Sequence, residues 1–126
     1  MRLLEDVADV TPGVQAVGRR TTSPGDFYFQ GHFPGQPVVP AVILIEMLAQ
    51  TGGIAAAASP DGVTGPALQL RVAAVGPFKF PGAAGPGECL EARARVAGRL
   101  GNMFKIEGDV TAGGRLVATG SLTLAG

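Results

Sequence analysis

The run VVPAVILIEMLAQTGGIAAAA, residues 38–58, is the feature that any fold of this chain has to accommodate. It is rich in Leu, Ile, Ala and Met, and Pro40 stands near its start, where a missing N–H is harmless and a fixed φ suits a first turn. The pattern predicts one long helix over Val39 to Ala58. Its apolar residues fall on nearly every side, so nearly every side has to be covered, and an antiparallel sheet curling around the helix would do that. A membrane span is the other way to bury such a helix, but Pro40, Glu46, Gln50 and the pair Gly52-Gly53 interrupt it. Each glycine weakens a helix by about 1 kcal/mol relative to alanine. The pair therefore marks either a close approach to a neighbouring backbone or the helix's end.

The sheet is legible further along. In ECLEARARV, Leu90, Ala92, Ala94 and Val96 oppose Glu91, Arg93 and Arg95, the period of two of a half-buried strand. In NMFKIEGDVTA, Phe104, Ile106 and Val110 oppose Lys105, Glu107 and Asp109. In RLVATGSLTL, Leu116, Ala118, Leu122 and Leu124 alternate with Thr119, Ser121 and Thr123. The Gly-bearing connections GRLGN and AGGR join these runs into a meander of three antiparallel strands. Upstream, ALQLRVAAV sets Leu68, Leu70 and Val72 against Gln69 and Arg71, and GVQAVGRRTT is a weaker strand. The expected class is α+β: one long apolar central helix wrapped by a curved antiparallel sheet of about five to six strands.

At 126 residues the chain has the size of one domain, residues 1–126. Ten basic and ten acidic residues cancel, and no long run of one sign points to nucleic acid. A 46% hydrophobic content with 16% charged residues is apolar for a small soluble domain and predicts that another subunit covers part of the surface. The single Cys89 has no disulfide or metal-ligand partner and reads as a small strand-face residue, which fits a reducing compartment. The acids in MRLLEDVADV stand where a signal peptide needs an apolar core, so a cytoplasmic protein is expected.

Two residues break these patterns. His32, the only histidine, lies in GHFPGQPVVP, where Pro34, Pro37 and Pro40 restrict the backbone and Gly31 and Gly35 permit close approach. A stiff loop leading into a helix holds an imidazole in one orientation, and the helix's unpaired N–H groups can receive charge developing on a carbonyl oxygen. Glu46 sits among Val42, Ile43, Leu44, Ile45, Met47 and Leu48. A carboxylate there is costly to bury ionised, so it points into a cavity, holds a proton, or is bonded to Gln50 one turn on. An imidazole base and a neutral carboxylic acid can together remove a proton from one carbon and protonate a departing oxygen, which is elimination of water.

The run GHFPGQPVVPAVILIEMLAQTGG closely resembles the active-site segment of the β-hydroxyacyl-acyl carrier protein dehydratases of type II fatty acid synthesis, a family with the hot-dog fold. FKFPGAAGPGECLEARARV, MFKIEGDV and GRLVATGSLTLA resemble that family's later strands, so the likeness spans most of the chain. The resemblance implies that His32 takes the α-proton of a 3-hydroxyacyl thioester while Glu46 protonates the departing 3-hydroxyl, leaving a trans-2-enoyl product, in fatty acid synthesis or in a related polyketide or aryl-polyene pathway. It implies no metal or redox cofactor, the substrate being carried on the phosphopantetheine of acyl carrier protein. It also implies a homodimer with shared sites, His32 of one subunit facing Glu46 of the other, which could assemble further into a trimer of dimers or pair as a heterodimer. The substrate would lie against Gly31, Phe33, Gly35, Pro40, Ala41 and Gln50, with an acyl tunnel along the helix and the strand near Phe78 and Phe80. A patch drawn from Arg71, Lys79, Arg93, Arg95 or Arg99 would meet the acidic carrier.

Two departures mark the chain. The family's motif has Gly after the third proline where this sequence has Ala41, which keeps the N–H but adds a Cβ. RLLEDVADV resembles the end of the family's N-terminal segment, as in a short variant. Alternative readings are a non-catalytic or heterodimer-completing hot-dog subunit that binds acyl carrier protein, and a hot-dog acyl thioesterase.

Overall fold

A computed structural model of the chain describes residues 3–29, 38–57 and 70–126. The elements are β1 (Asp6–Thr11), β2 (Gln15–Thr21), a 3-10 turn (Phe27–Phe29), α1 (Ala41–Ala57), β3 (Arg71–Lys79), β4 (Cys89–Leu100), β5 (Met103–Ala112) and β6 (Arg115–Ala125). The strands form one sheet in the order β1-β2-β4-β5-β6-β3, and every neighbouring pair is antiparallel. α1 packs across β2, β4, β5 and β6 and reaches β1. Register shifts interrupt the β1/β2, β3/β6, β4/β5 and β5/β6 pairings, and irregularities of that kind bend and twist strands so that a sheet can follow a helix. The expected wrapped helix is what the chain forms, with six strands.

The meander follows the predicted alternation. Leu90, Ala92 and Ala94 of β4 and Phe104, Ile106 and Val110 of β5 are buried, and Gly113 and Gly114, both at positive φ, turn the chain between β5 and β6. The alternation fails in β6. Val110 pairs with Ala118 but Thr111 pairs with Leu116, so Val117 is an extra residue on β6; it is buried, and Leu116 is pushed to the surface. In ALQLRVAAV, residues 67–69 lie outside the described part, and Val72, expected inward, is exposed. The reason is position: β3 is an edge strand, and within one chain the helix does not cover it. β1 is a strand where none was predicted, and its burial pattern is too exposed to leave an apolar signal.

Gly52-Gly53 do not end the helix. A Cβ at Gly52 would stand 2.7 Å from Cγ2 of the fully buried Ile106, so the helix approaches a β5 side chain there. Opposite, Gly108 of β5 makes room for the helix: a Cβ there would lie 2.0 Å from the Arg93 carbonyl oxygen and 2.7 Å from Leu48 Cδ1. A Cβ at Gly53 would meet only Leu124, at an ordinary 3.9 Å.

A polar cluster ties β2 to the 3-10 turn. Arg20 pairs across the strands with the buried Leu90, so its side chain lies on the sheet's inward face. Its Nε donates to the Tyr28 hydroxyl at 3.1 Å, one terminal nitrogen to Asp26 Oδ1 at 3.0 Å, and the other to the Leu3 carbonyl at 3.1 Å. The Tyr28 hydroxyl in turn donates to Asp26 Oδ2 at 2.7 Å, and the Ser23 N–H donates to the same oxygen at 2.8 Å. Burial opposes charge on Asp26, but the Ser23 N–H, the Tyr28 hydroxyl and the Arg20 guanidinium outweigh it and hold the carboxyl below its ordinary value.

Gly52→Ala should destabilise the protein in urea unfolding despite its better helix propensity, because Ile106 is stiff and has nowhere to go. Gly53→Ala should stabilise it by about 0.5–1 kcal/mol. Asp26→Asn should cost about 1–2 kcal/mol at pH 7 by leaving the part-buried Arg20 and Tyr28 donors without an anionic acceptor. Since the folded-state value is depressed, the stability that ionised Asp26 supplies is present above its unfolded-state value and is lost as pH falls through the folded one. The gap between wild type and Asp26→Asn, followed by urea midpoints, should therefore close in strong acid.

Candidate active site

The helix N-terminus is set by a buried anchor and a proline. The Val39 N–H donates to the Ala84 carbonyl at 2.8 Å, and Val39 is itself buried. The Pro40 carbonyl accepts from Ile43 N at 3.0 Å and Leu44 N at 3.4 Å, which starts the helix at Ala41. The first N–H groups of a helix have no intrahelical acceptor, and those of Ala41 and Val42 have no hydrogen-bond partner among the described residues, at an exposed end with the positive pole of the helix dipole behind them. His32, Gly31, Phe33 and Gly35 lie outside the described residues. The segment is bracketed by the buried Phe29 and by Val39.

Glu46 is half-buried and lines a groove of about 730 Å³. Gln50 and Arg71 are its other hydrogen-bonding side chains, and Leu4, Ile54, Leu70, Val72 and Leu124 supply much of its apolar wall. Glu46, Gln50, Gly53 and Ala57 follow one another at helical spacing, so one stripe of α1 forms the floor. Both readings of the glutamate meet here. It faces a cavity, and its Oε1 accepts from Gln50 Nε2 at 3.2 Å. Gln50 Oε1 accepts from the Leu3 N–H at 2.9 Å, which ties the helix to the segment before β1. A carboxyl on an apolar groove, with a helix N-terminus one and a half turns away, suits proton transfer to a bound acyl compound.

Phe78 and Phe80 stack on each other, centroids 6.0 Å apart, but neither lines this groove. The groove takes the beginning of β3, and Phe78 lies seven residues beyond Arg71, about 23 Å along an extended strand. Phe78 packs over Gly120 and Phe80 is 42% exposed. Of the basic residues, Arg93 and Arg95 bond Glu91 at 2.8 Å and Glu107 at 3.1 Å on the outer face. Arg99 sits over the Phe104 ring at 5.0 Å, Lys79 is exposed, and Arg71 is in the groove itself. Cys89 is exposed on β4. Sequence reading passed over Arg20, although Ala16, Gly18 and Arg20 share one side of β2 by simple alternation, and a guanidinium in line with two small residues is a signal of its own.

A family profile described as FabA-like domain matches residues 1–121. The 3-hydroxyacyl-[acyl-carrier-protein] dehydratase FabZ of Moorella thermoacetica is 35% identical over 126 residues, covering 98% of this chain and 84% of that protein. The enzyme of the same name from Roseiflexus sp. (strain RS-1) is 34% identical over 123 residues with the same coverage. Among solved structures, the dehydratase heterocomplex ApeI:P from Xenorhabdus doucetiae matches the fold with a TM-score of 0.72 at 17% identity, over 100% of both chains. The helix wrapped in an antiparallel sheet, the family profile and relatives aligned along nearly the whole chain agree: this protein is a hot-dog-fold member of the FabA-like domain family.

Proposed function

We propose that the protein dehydrates a 3-hydroxyacyl thioester carried on acyl carrier protein to the trans-2-enoyl thioester, in fatty acid synthesis. The observation that carries this reading is Glu46: a carboxyl at the position the family's motif requires, facing an apolar groove beside a helix N-terminus, in a chain 34–35% identical to FabZ dehydratases. His32 removes the α-proton, and the C–H electron pair becomes the Cα–Cβ double bond. The Glu46 carboxylic acid protonates the 3-hydroxyl, directly or through a water, and the C–O bond breaks with loss of water. Negative charge developing on the thioester oxygen is received by the N–H groups at Ala41 and Val42. These groups supply the proton removal, the proton delivery and the oxyanion contact that the step needs.

Val42 of α1 is 69% exposed and Val75 of the β3 edge 54%, so apolar surface is left uncovered on both elements. Exposed apolar residues on the helix and on an unpaired sheet edge support a homodimer in which His32 of the partner subunit completes the site of Glu46. Acyl carrier protein is the partner that delivers substrate, and the basic residues with Arg71 in the groove are its proposed contacts. Among the described residues no helix is long and apolar enough to cross a membrane. The likeness to FabZ dehydratases supports a cytoplasmic location for the reaction.

Purified protein given 3-hydroxyacyl-carrier protein should form the enoyl product, followed by its absorbance or by mass spectrometry. His32→Ala and Glu46→Gln should each lower kcat by about 10²–10⁴-fold. No turnover in wild type, or unchanged turnover in both variants, rejects the proposal. Ala41→Gly removes a Cβ from the exposed helix start and should raise kcat/KM a few-fold; an unchanged or lower value means that this Cβ does not limit access.

A further inference from the structure

We infer that Arg20 is a positioning residue for Glu46, acting through Leu3 and Gln50, and that this relay fixes which carboxyl oxygen of Glu46 delivers the proton. The inference rests on reading Glu46 as the acid of the elimination.

The relay is continuous. Arg20 donates to the Leu3 carbonyl at 3.1 Å, the Leu3 N–H donates to Gln50 Oε1 at 2.9 Å, and Gln50 Nε2 donates to Glu46 Oε1 at 3.2 Å. Leu3 is thus held at both of its backbone polar groups, and at 1% exposure it leaves little room for water to replace either partner. The direction of the relay is set at the Leu3 N–H, which can only donate. It takes the carboxamide oxygen of Gln50, so the nitrogen is left facing Glu46; a flipped amide would oppose donor to donor at Leu3. An N–H on Oε1 occupies that oxygen as an acceptor. The proton to be delivered then resides on Oε2, away from Gln50 and free to meet the substrate hydroxyl.

Arg20 suits the far end of this relay. Its planar fork engages three residues in two segments: Leu3 before β1, and Asp26 and Tyr28 around the 3-10 turn, with Asp26 and Tyr28 also bonded to each other. A lysine offers one compact ammonium and cannot reproduce three directed bonds from a rigid plane. The neighbouring Arg19 is the natural control. It points to the opposite face, pairs with Asp6 and Glu91, and touches no member of the relay.

The test is steady-state dehydration of 3-hydroxyacyl-carrier protein by Arg20→Gln, Arg20→Lys, Tyr28→Phe, Arg19→Gln, Gln50→Ala and the double variant Arg20→Gln/Gln50→Ala, each at a temperature where circular dichroism shows it folded. Arg20→Gln should lower kcat on the order of tenfold to a hundredfold with KM within about twofold, a loss of positioning rather than of binding. Arg20→Lys should resemble it, and Arg19→Gln should keep wild-type kcat. The double variant should be no slower than Gln50→Ala alone, because the second substitution acts on a relay already cut; multiplied losses would overturn the inference. In ¹⁵N spectra, Arg20→Gln should shift the Leu3 amide and the Gln50 carboxamide, and unmoved resonances would overturn it too. Should Arg20→Gln fail to fold, Arg20→Lys and Tyr28→Phe carry the test, Tyr28→Phe deleting a single hydroxyl that meets Arg20 and Asp26. Full activity in Glu46→Gln overturns the reading of Glu46 and this inference with it. Loss of activity in Glu46→Gln beside wild-type kcat in folded Arg20 variants overturns the inference alone.

Discussion

Burial of α1 against the sheet is the contact on which the rest of the molecule depends. Met47, Leu48 and Ala55 are wholly buried, and the fit is made from both sides: Leu48 reaches into the space left by Gly108, while Gly52 admits Ile106. Such a fit resists rotation of the helix, because any turn takes Leu48 out of the space over Gly108 and Gly52 away from Ile106. With the inward stripe locked, the stripe that carries Glu46, Gln50 and Gly53 is locked as well. Core packing therefore sets which side of the helix carries the acid, and the local bond from Gln50 orients its carboxyl there.

The charges follow the two faces of the sheet. Arg93 with Glu91, Arg95 with Glu107, and Arg19 with Asp6 and Glu91 decorate the outer side, where half-exposed ion pairs contribute little to stability and keep the surface wet. Arg20, one residue from Arg19, enters the inner side and is satisfied by a hydroxyl, a carboxylate and a backbone carbonyl. A part-buried guanidinium with every nitrogen used is more a device of orientation than of stability, since an apolar side chain of similar volume could fill much of the space without needing partners.

Much of this was readable in the residues alone. The helix was, because an apolar run of that length has few other ways to be buried; the meander was, because β5, and β4 as far as Val96, keep a period of two. Glu46 was, because a carboxylate among aliphatic residues is expensive and so conspicuous. What was not readable depends on partners remote in sequence. The extra residue Val117 shifts β6 by one position, and alternation cannot foresee an insertion in pairing. β3 read as half-buried and is mostly exposed, since its cover is not supplied by the chain's own helix. Arg20 acquires its meaning from Leu3, Asp26 and Tyr28, and Phe78 and Phe80 are kept from the groove by the length of the strand that separates them from it. The loop of His32 lies outside the described residues, so there the reading rests on sequence alone.

The strand order has a kinetic corollary. β4, β5 and β6 are neighbours in the chain as well as in the sheet, and two tight turns close their pairings at small entropic cost. β2 instead meets β4 across 72 residues, as the Arg19–Glu91 bond spans, and Leu3 reaches Gln50 across 47. Contacts of that separation form late and at greater cost. The groove draws on such contacts, since Leu4 and Val7 line it together with α1 residues, so its wall is complete only once segments distant in the chain have come together.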